Sequence, residues 1–252
     1  MTDRPASATG VGPAVSAEAV EMTFAQAGGH LTLRLEGLEL SAGGIALLVG
    51  ESGSGKSTIL AMLGAALRPT RAARLELCGR TARLSTLEAW RQRDEGALQR
   101  FRARELGFVL QTGGLLPWLS LRRNIAETAM LSSLSGGAPP PGRGEEIAVR
   151  LGVGHVLDRR PRDVSVGQRQ RAAVARAMAH GPSLLLADEP TAALDGANAD
   201  AVDRLMIEMA RDYGMAAVIA THRPDRPHWR DLPRLTQRLS SGPEGVVSVF
   251  AA

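Results

Sequence analysis

Gly50-Glu51-Ser52-Gly53-Ser54-Gly55-Lys56-Ser57 holds the only lysine of the chain, although 30 residues are Lys or Arg. Arginine serves everywhere else, and lysine is kept at this one position. The spacing is that of a P-loop: glycines let backbone N–H groups turn inward around phosphates, the lysine brings a compact mobile charge, and the following hydroxyl ligates Mg²⁺. On the N-terminal side, Gly44-Ile45-Ala46-Leu47-Leu48-Val49 reads as a short buried strand. On the other side, Thr58-Ile59-Leu60-Ala61-Met62-Leu63 reads as the helix whose N-terminus faces the phosphates. A glycine-rich turn with no ligand is the bland alternative, and the flanking strand and helix weigh against it. The expected ligand is a nucleoside triphosphate.

With 252 residues the chain can bury one substantial core, or a core with a subdomain. Its apolar runs fall well short of the roughly 20 residues that a membrane span needs. Met1-Thr2-Asp3-Arg4-Pro5-Ala6-Ser7 lacks the apolar centre of a secretory signal, and the lone Cys78 fits a reducing compartment, so a soluble cytosolic domain is expected. A pI near 10.4 suggests nucleic acid, but the net charge is only +4 and the pI is raised by arginine, which never deprotonates. Aromatic residues make up 3% of the chain, too few for base-stacking platforms, and no nucleic-acid partner is expected. A basic face toward lipid headgroups or a membrane partner stays open.

Residues 1 to about 16 are small and polar and read as a disordered tail. The remainder, 17–252, reads as one domain. Segments near 18–24 and 31–39 alternate apolar and polar residues and predict antiparallel strands. Ser85-Thr86-Leu87-Glu88 has the form of a capping box opening one charged helix toward Arg104. Leu106-Gly107-Phe108-Val109-Leu110 predicts a buried strand ending at Gln111. From 112 to about 161 the pattern is helical, broken by a loop over 132–142. Helices and strands then alternate through 165–221, the signature of a parallel sheet with crossover helices.

Ser183-Leu184-Leu185-Leu186-Ala187-Asp188-Glu189-Pro190 is an apolar strand delivering two adjacent carboxylates at its C-terminal end, where α/β sheets place their ligands. Asp188 would hold Mg²⁺ and Glu189 would polarise an attacking water. A solvated Asp-Glu-Pro turn is the alternative. Val164-Ser165-Val166-Gly167-Gln168-Arg169-Gln170-Arg171 opens an Ala/Arg-rich helix with Ser165 as N-cap. Read alone, this is only a helix start.

These elements, in this order, resemble the nucleotide-binding subunit of an ATP-binding-cassette (ABC) transporter over roughly residues 17–249. The resemblance also covers the glutamine at 111, the histidine at 222 after Met215-Ala216-Ala217-Val218-Ile219-Ala220-Thr221, and Ala193-Leu194-Asp195, which matches the family's D-loop. It implies an α/β fold: a P-loop NTPase with a mostly parallel sheet, an N-terminal antiparallel region and an inserted helical subdomain at about 112–161. It implies an ATPase in which Gly50, Glu51, Ser52, Gly53, Ser54, Gly55, Lys56, Ser57 and Thr58 hold the phosphates of ATP. Ser57, Gln111 and Asp188 would serve Mg²⁺, and Glu189, His222, Gln111 and Lys56 the hydrolysis. Ser165, Gly167 and Gln168 would face ATP bound to a second copy, with Asp195 communicating across that dimer. Phe24 is the candidate to stack on adenine, with a core phenylalanine as the other reading.

The stretch from Arg102 to Gln111 with Leu115-Leu116-Pro117-Trp118-Leu119 is similar to the lipoprotein-release and macrolide-efflux branch. That resemblance implies a membrane permease partner, a location on the cytoplasmic face of the membrane, and export or extraction of a substrate. Force transmission that regulates cell-wall hydrolysis, an importer subunit, a soluble nucleic-acid or ribosome ATPase, and a degenerate regulatory cassette are the rival readings. The chain departs from the family pattern in three places: Val166 stands where a glycine is usual, 69–74 lacks a glycine, and Arg223-Pro224-Asp225-Arg226-Pro227-His228-Trp229 is atypically Pro-rich.

Overall fold

A computed structural model describes residues 12–26, 29–242 and 245–252. The expected N-terminal tail lies mostly outside the described residues. At its end, however, Val15 and Ser16 are buried and already belong to the first strand.

Among the described residues, ten strands form one sheet. In chain order they are β1 (Val15–Gln26), β2 (Gly29–Leu40), β3 (Ile45–Val49), β4 (Arg74–Cys78), β5 (Arg83–Ser85), β6 (Leu106–Val109), β7 (Leu184–Asp188), β8 (Ala216–Thr221), β9 (Arg234–Gly242) and β10 (Gly245–Ala251). Their spatial order is β5-β4-β1-β2-β10-β9-β3-β8-β7-β6. The run from β9 through β3, β8, β7 and β6 is parallel, whereas β1, β2, β4 and β5 pair antiparallel; of the antiparallel strands, β1 and β2 were expected from the sequence. The β9–β10 hairpin, for which the sequence reading made no provision, joins the two regions: β10 lies parallel to β2 and β9 parallel to β3.

Period-2 alternation sends neighbouring side chains to opposite faces of the sheet, and two cores result. Leu48, Leu186 and Val218 meet the helix α1 (Lys56–Leu63) and the antiparallel region on one face. On the other, Leu47, Leu185 and Ile219 meet α6 (Val166–Met178) and α7 (Gly196–Asp212). Strands buried on both faces must be apolar throughout, which is why β7 reads Leu-Leu-Leu-Ala before its acidic end.

The helix expected from Ser85 toward Arg104 is two helices, α2 (Thr86–Gln92) and α3 (Glu95–Glu105), broken at Arg93, whose φ is +57°. The anticipated capping box does not form, because Ser85 is paired to Glu76 in the sheet and its side chain caps nothing; Asp94 caps the second helix instead. The loop expected at 132–142 begins three residues later. Helix α4 (Leu121–Leu134) carries on through Ser132 and Ser133, with Ser132 buried and Ser133 Oγ donating to Ala129 O. Helix α5 (Arg143–Arg150) completes the helical insertion. Among the described residues no helix is long and apolar enough to cross a membrane.

Candidate active site

Three neighbouring parallel strands, β3, β8 and β7, end side by side, and each delivers one part of the site. After β3 the chain turns through Gly53 (φ +79°) and Gly55 (φ +96°) into α1. Gly55 must be glycine twice over, since its backbone is left-handed and a Cβ there would lie 2.4 Å from Leu33 Cδ1. It is the N-cap of α1 without a capping side chain, and no acidic residue sits in that first turn, so the positive end of the helix is left for an anion.

Lys56 folds back over the loop. Its buried ammonium donates to Gly50 O (2.9 Å) and Glu51 O (2.7 Å) and lies 3.3 Å from Glu189 Oε1. Ser57 Oγ donates to Asp188 Oδ2 at 2.6 Å, joining the first turn of α1 to the end of β7. Glu189 sits at φ +46°, a strained conformation for a non-glycine residue, and its N–H donates to Ala220 O of β8 at 3.0 Å. Past the end of β8, His222 Nδ1 lies 3.0 Å from Glu189 Oε2. Arg223 Nε is 3.2 Å from His222 Nε2. Since arginine only donates, the network assigns the imidazole proton to Nδ1, where it is given to Glu189. The carboxylate of Glu189 is thus gripped on one oxygen by Lys56 and on the other by His222.

Gly50, Glu51, Lys56, Ser57, Asp188, Glu189 and His222 therefore converge. Gln111 does not bond to them: it is exposed, two residues beyond β6, and the register of that strand against β7 carries it to the level of Glu189. Phe24 is exposed on β1, on the face shared by Met22, whose cross-strand partner Leu33 packs against Gly55. It therefore stands on the P-loop side of the sheet.

Ser165, Gly167, Gln168 and Asp195 form no hydrogen bond or ion pair with the P-loop among the described contacts. Ser165 and Gln168 instead close a reciprocal capping box at the start of α6. Gly167 lies against Leu194, where a Cβ would stand 3.0 Å from Leu194 Cδ2. Asp195 caps α7 by accepting from the backbone and side chain of Asn198, and these bonds hold its carboxyl below the usual range. Val166 is exposed at the first helical position of α6, so it needs no glycine-only backbone.

Two supporting residues escaped the sequence reading. Gln237 on β9 offers Oε1 to Glu51 N at 3.4 Å and donates from Nε2 to Ser248 Oγ, which in turn donates to Ser54 O at 3.2 Å. A buried serine amid the valines of 246–249 was the available signal.

A phosphate-ready loop, paired carboxylates and a histidine at the ends of adjacent parallel strands define a P-loop nucleoside triphosphatase. The chain belongs to the ABC transporter family, whose model matches residues 35–192. It is 37% identical to the lipoprotein-releasing system ATP-binding protein LolD 1 of Rhodospirillum rubrum, over 83% of this chain and 86% of that one. It is 35% identical to its counterpart from Xylella fastidiosa, over 96% of each chain. The dimeric ATP-binding cassette MJ0796, in a post-hydrolysis state bound to ADP and Pi, superposes with a TM-score of 0.67 at 27% identity, over 82% of this chain and 88% of that one. A second dimeric structure of that cassette gives a TM-score of 0.69 at 25% identity, over 88% and 94%. The chain is thus the ATP-hydrolysing subunit of an ABC transporter, as the motifs led one to expect.

Proposed function

We propose that Glu189 is the base that polarises the attacking water, with His222 and Lys56 setting its orientation and charge. The observation that carries this reading is the double grip on Glu189, 3.3 Å from Lys56 Nζ and 3.0 Å from His222 Nδ1. The P-loop amides from Gly50 to Thr58 bind the phosphates, and Lys56 moves from the loop carbonyls to the phosphate oxygens when ATP enters. Phe24 stacks on adenine.

The hydroxyl of Ser57 and the carboxylate of Asp188 meet at 2.6 Å, and Gln111 leaves the neighbouring strand with an amide oxygen. An all-oxygen donor set of this kind fits Mg²⁺, which when bound neutralises charge on the β- and γ-phosphates. Ser57, Asp188 and Gln111 are the residues that would hold it.

Ser165 and Gln168 cap only their own helix, in whose first turn Gly167 lies, and Asp195 caps another. Their lack of contact with the P-loop of the same chain supports an ATP sandwich, in which a second copy brings its α6 N-terminus to the γ-phosphate. ATP closes the dimer, and hydrolysis separates the faces by charge repulsion. Trp118, Met130, Leu131 and Leu134 are exposed apolar residues in or beside the helical insertion, and they support docking of a membrane permease there, on the cytoplasmic face. Relatives named for lipoprotein release support export or extraction of a lipid-modified protein as the work done.

Size-exclusion chromatography of Glu189→Gln at millimolar ATP and Mg²⁺ tests the mechanism. A stable dimer with hydrolysis lowered by about 10²–10⁴ is expected. A monomer under those conditions rules the sandwich out.

A further inference from the structure

Behind the Glu189–His222 pair lies a buried acidic residue that bonds to neither of them. Asp203, on α7, is fully buried. One of its oxygens, Oδ2, accepts from Thr191 Oγ1 at 3.1 Å and from Arg226 Nη1. Thr191 is two residues beyond Glu189, and Arg226 is four beyond His222. A single carboxylate oxygen therefore ties together the two chain segments that carry the gripped pair. Arg226 is itself boxed in, with its guanidinium 5.2 Å from the ring of the buried Trp229 and 3.3 Å from Asp200 Oδ1. Glu189, Thr191, His222, Arg226 and Trp229 all line one small cleft between these segments.

An interior carboxylate is expensive to keep. Burial pushes the Asp203 carboxyl up to about 7 even though Arg226 draws it down. A hydrophobic residue would fill the same space with less desolvation. Neither segment has regular structure to fix it: residues 189–195 form a turn, and 222–233 hold one short 3₁₀ helix at Pro227–Trp229. Glu189 is moreover strained at φ +46°, a conformation that persists only where its surroundings over-determine it.

We propose that Asp203 and Arg226 are positioning residues for hydrolysis, locking the segment after Glu189 to the segment after His222 so that the base keeps its orientation. The same lock joins this pair to α7, whose N-cap is Asp195. The proposal rests on Glu189 being the base.

Steady-state ATPase kinetics on the full chain test it, with Glu189→Gln measured alongside. Arg226→Met lowers kcat about 10- to 100-fold, the scale of a misplaced reacting group, with KM for ATP within about twofold. Arg226→Lys, which restores a cation to Asp203, recovers kcat to within about threefold. The double variant Asp203→Leu/Arg226→Met removes both charges, so its Tm stays within about 3 °C of wild type while kcat stays low. Wild-type kcat in that folded double variant overturns the proposal and leaves the pair a packing device. A raised KM with unchanged kcat in Arg226→Met overturns it as well. Wild-type kcat in Glu189→Gln removes the base itself, so a failed site assignment is told apart from a failed lock.

Discussion

Lys56 Nζ lies 3.3 Å from Glu189 Oε1 while it donates to the carbonyls of Gly50 and Glu51. The one lysine of the chain thus pairs with the carboxylate that follows β7 and folds over the mouth of its own loop. Phosphate must compete with these contacts for the ammonium. Lys56→Ala removes a charge-assisted donor, a group that contributes on the order of 1.5–3 kcal/mol. Affinity for ATP is expected to fall about 10- to 100-fold, as read by titration with a fluorescent ATP analogue.

Gly55→Ala tests the loop from the other side. The new methyl would sit at φ +96° and 2.4 Å from Leu33 Cδ1. Both effects act against the folded loop, and a loss of about 1–3 kcal/mol in urea unfolding is expected. Trimming Leu33 in the same chain relieves the clash but leaves the dihedral, so Gly55→Ala/Leu33→Ala should still bind ATP more weakly than Leu33→Ala alone.

His180 sets a pH dependence of stability. Burial lowers its pKa from 6.5 to about 4, and its Nε2 lies 3.1 Å from Leu106 O. Between those two values the unfolded chain binds a proton that the folded chain does not. The stabilisation is therefore complete above pH 6.5 and is lost as the pH falls toward 4. From pH 7.5 to 5.5 the loss from this group is about 1 kcal/mol. His180→Gln keeps a donor for Leu106 O, and its urea midpoint should change correspondingly less over that interval. Parallel pH profiles for the two proteins would show that His180 is not the source.

The P-loop, the acidic pair and His222 were legible because each is a local device: a glycine spacing, or a polar residue at the end of an apolar strand. What supports them was not, because it arrives from far along the chain. Gln237 and Ser248 reach Glu51 and Ser54 from 186 and 194 residues away. The strand of Gln237 also sits in a segment rich in serine and arginine that gives little sign of a sheet, although the valines around Ser248 do. Ser85 misled for the opposite reason. Its local pattern is that of a helix cap, but pairing with Glu76 claimed its backbone for a strand, and Arg93 at φ +57° divided the helix that followed. Asp203 was invisible in the same way, since nothing within α7 tells that Arg226 will come to meet it.

The position of β10 between β2 and β9 bears on how the protein is made. A ribosome releases the loop around Lys56 early, yet the strand that carries Ser248 emerges nearly 200 residues later. Until then β2 has an open edge and the loop lacks the Ser54 and Glu51 contacts that brace it. The loop is thus braced only once β9 and β10 have been made, and a chain truncated before them would carry the motif without that brace.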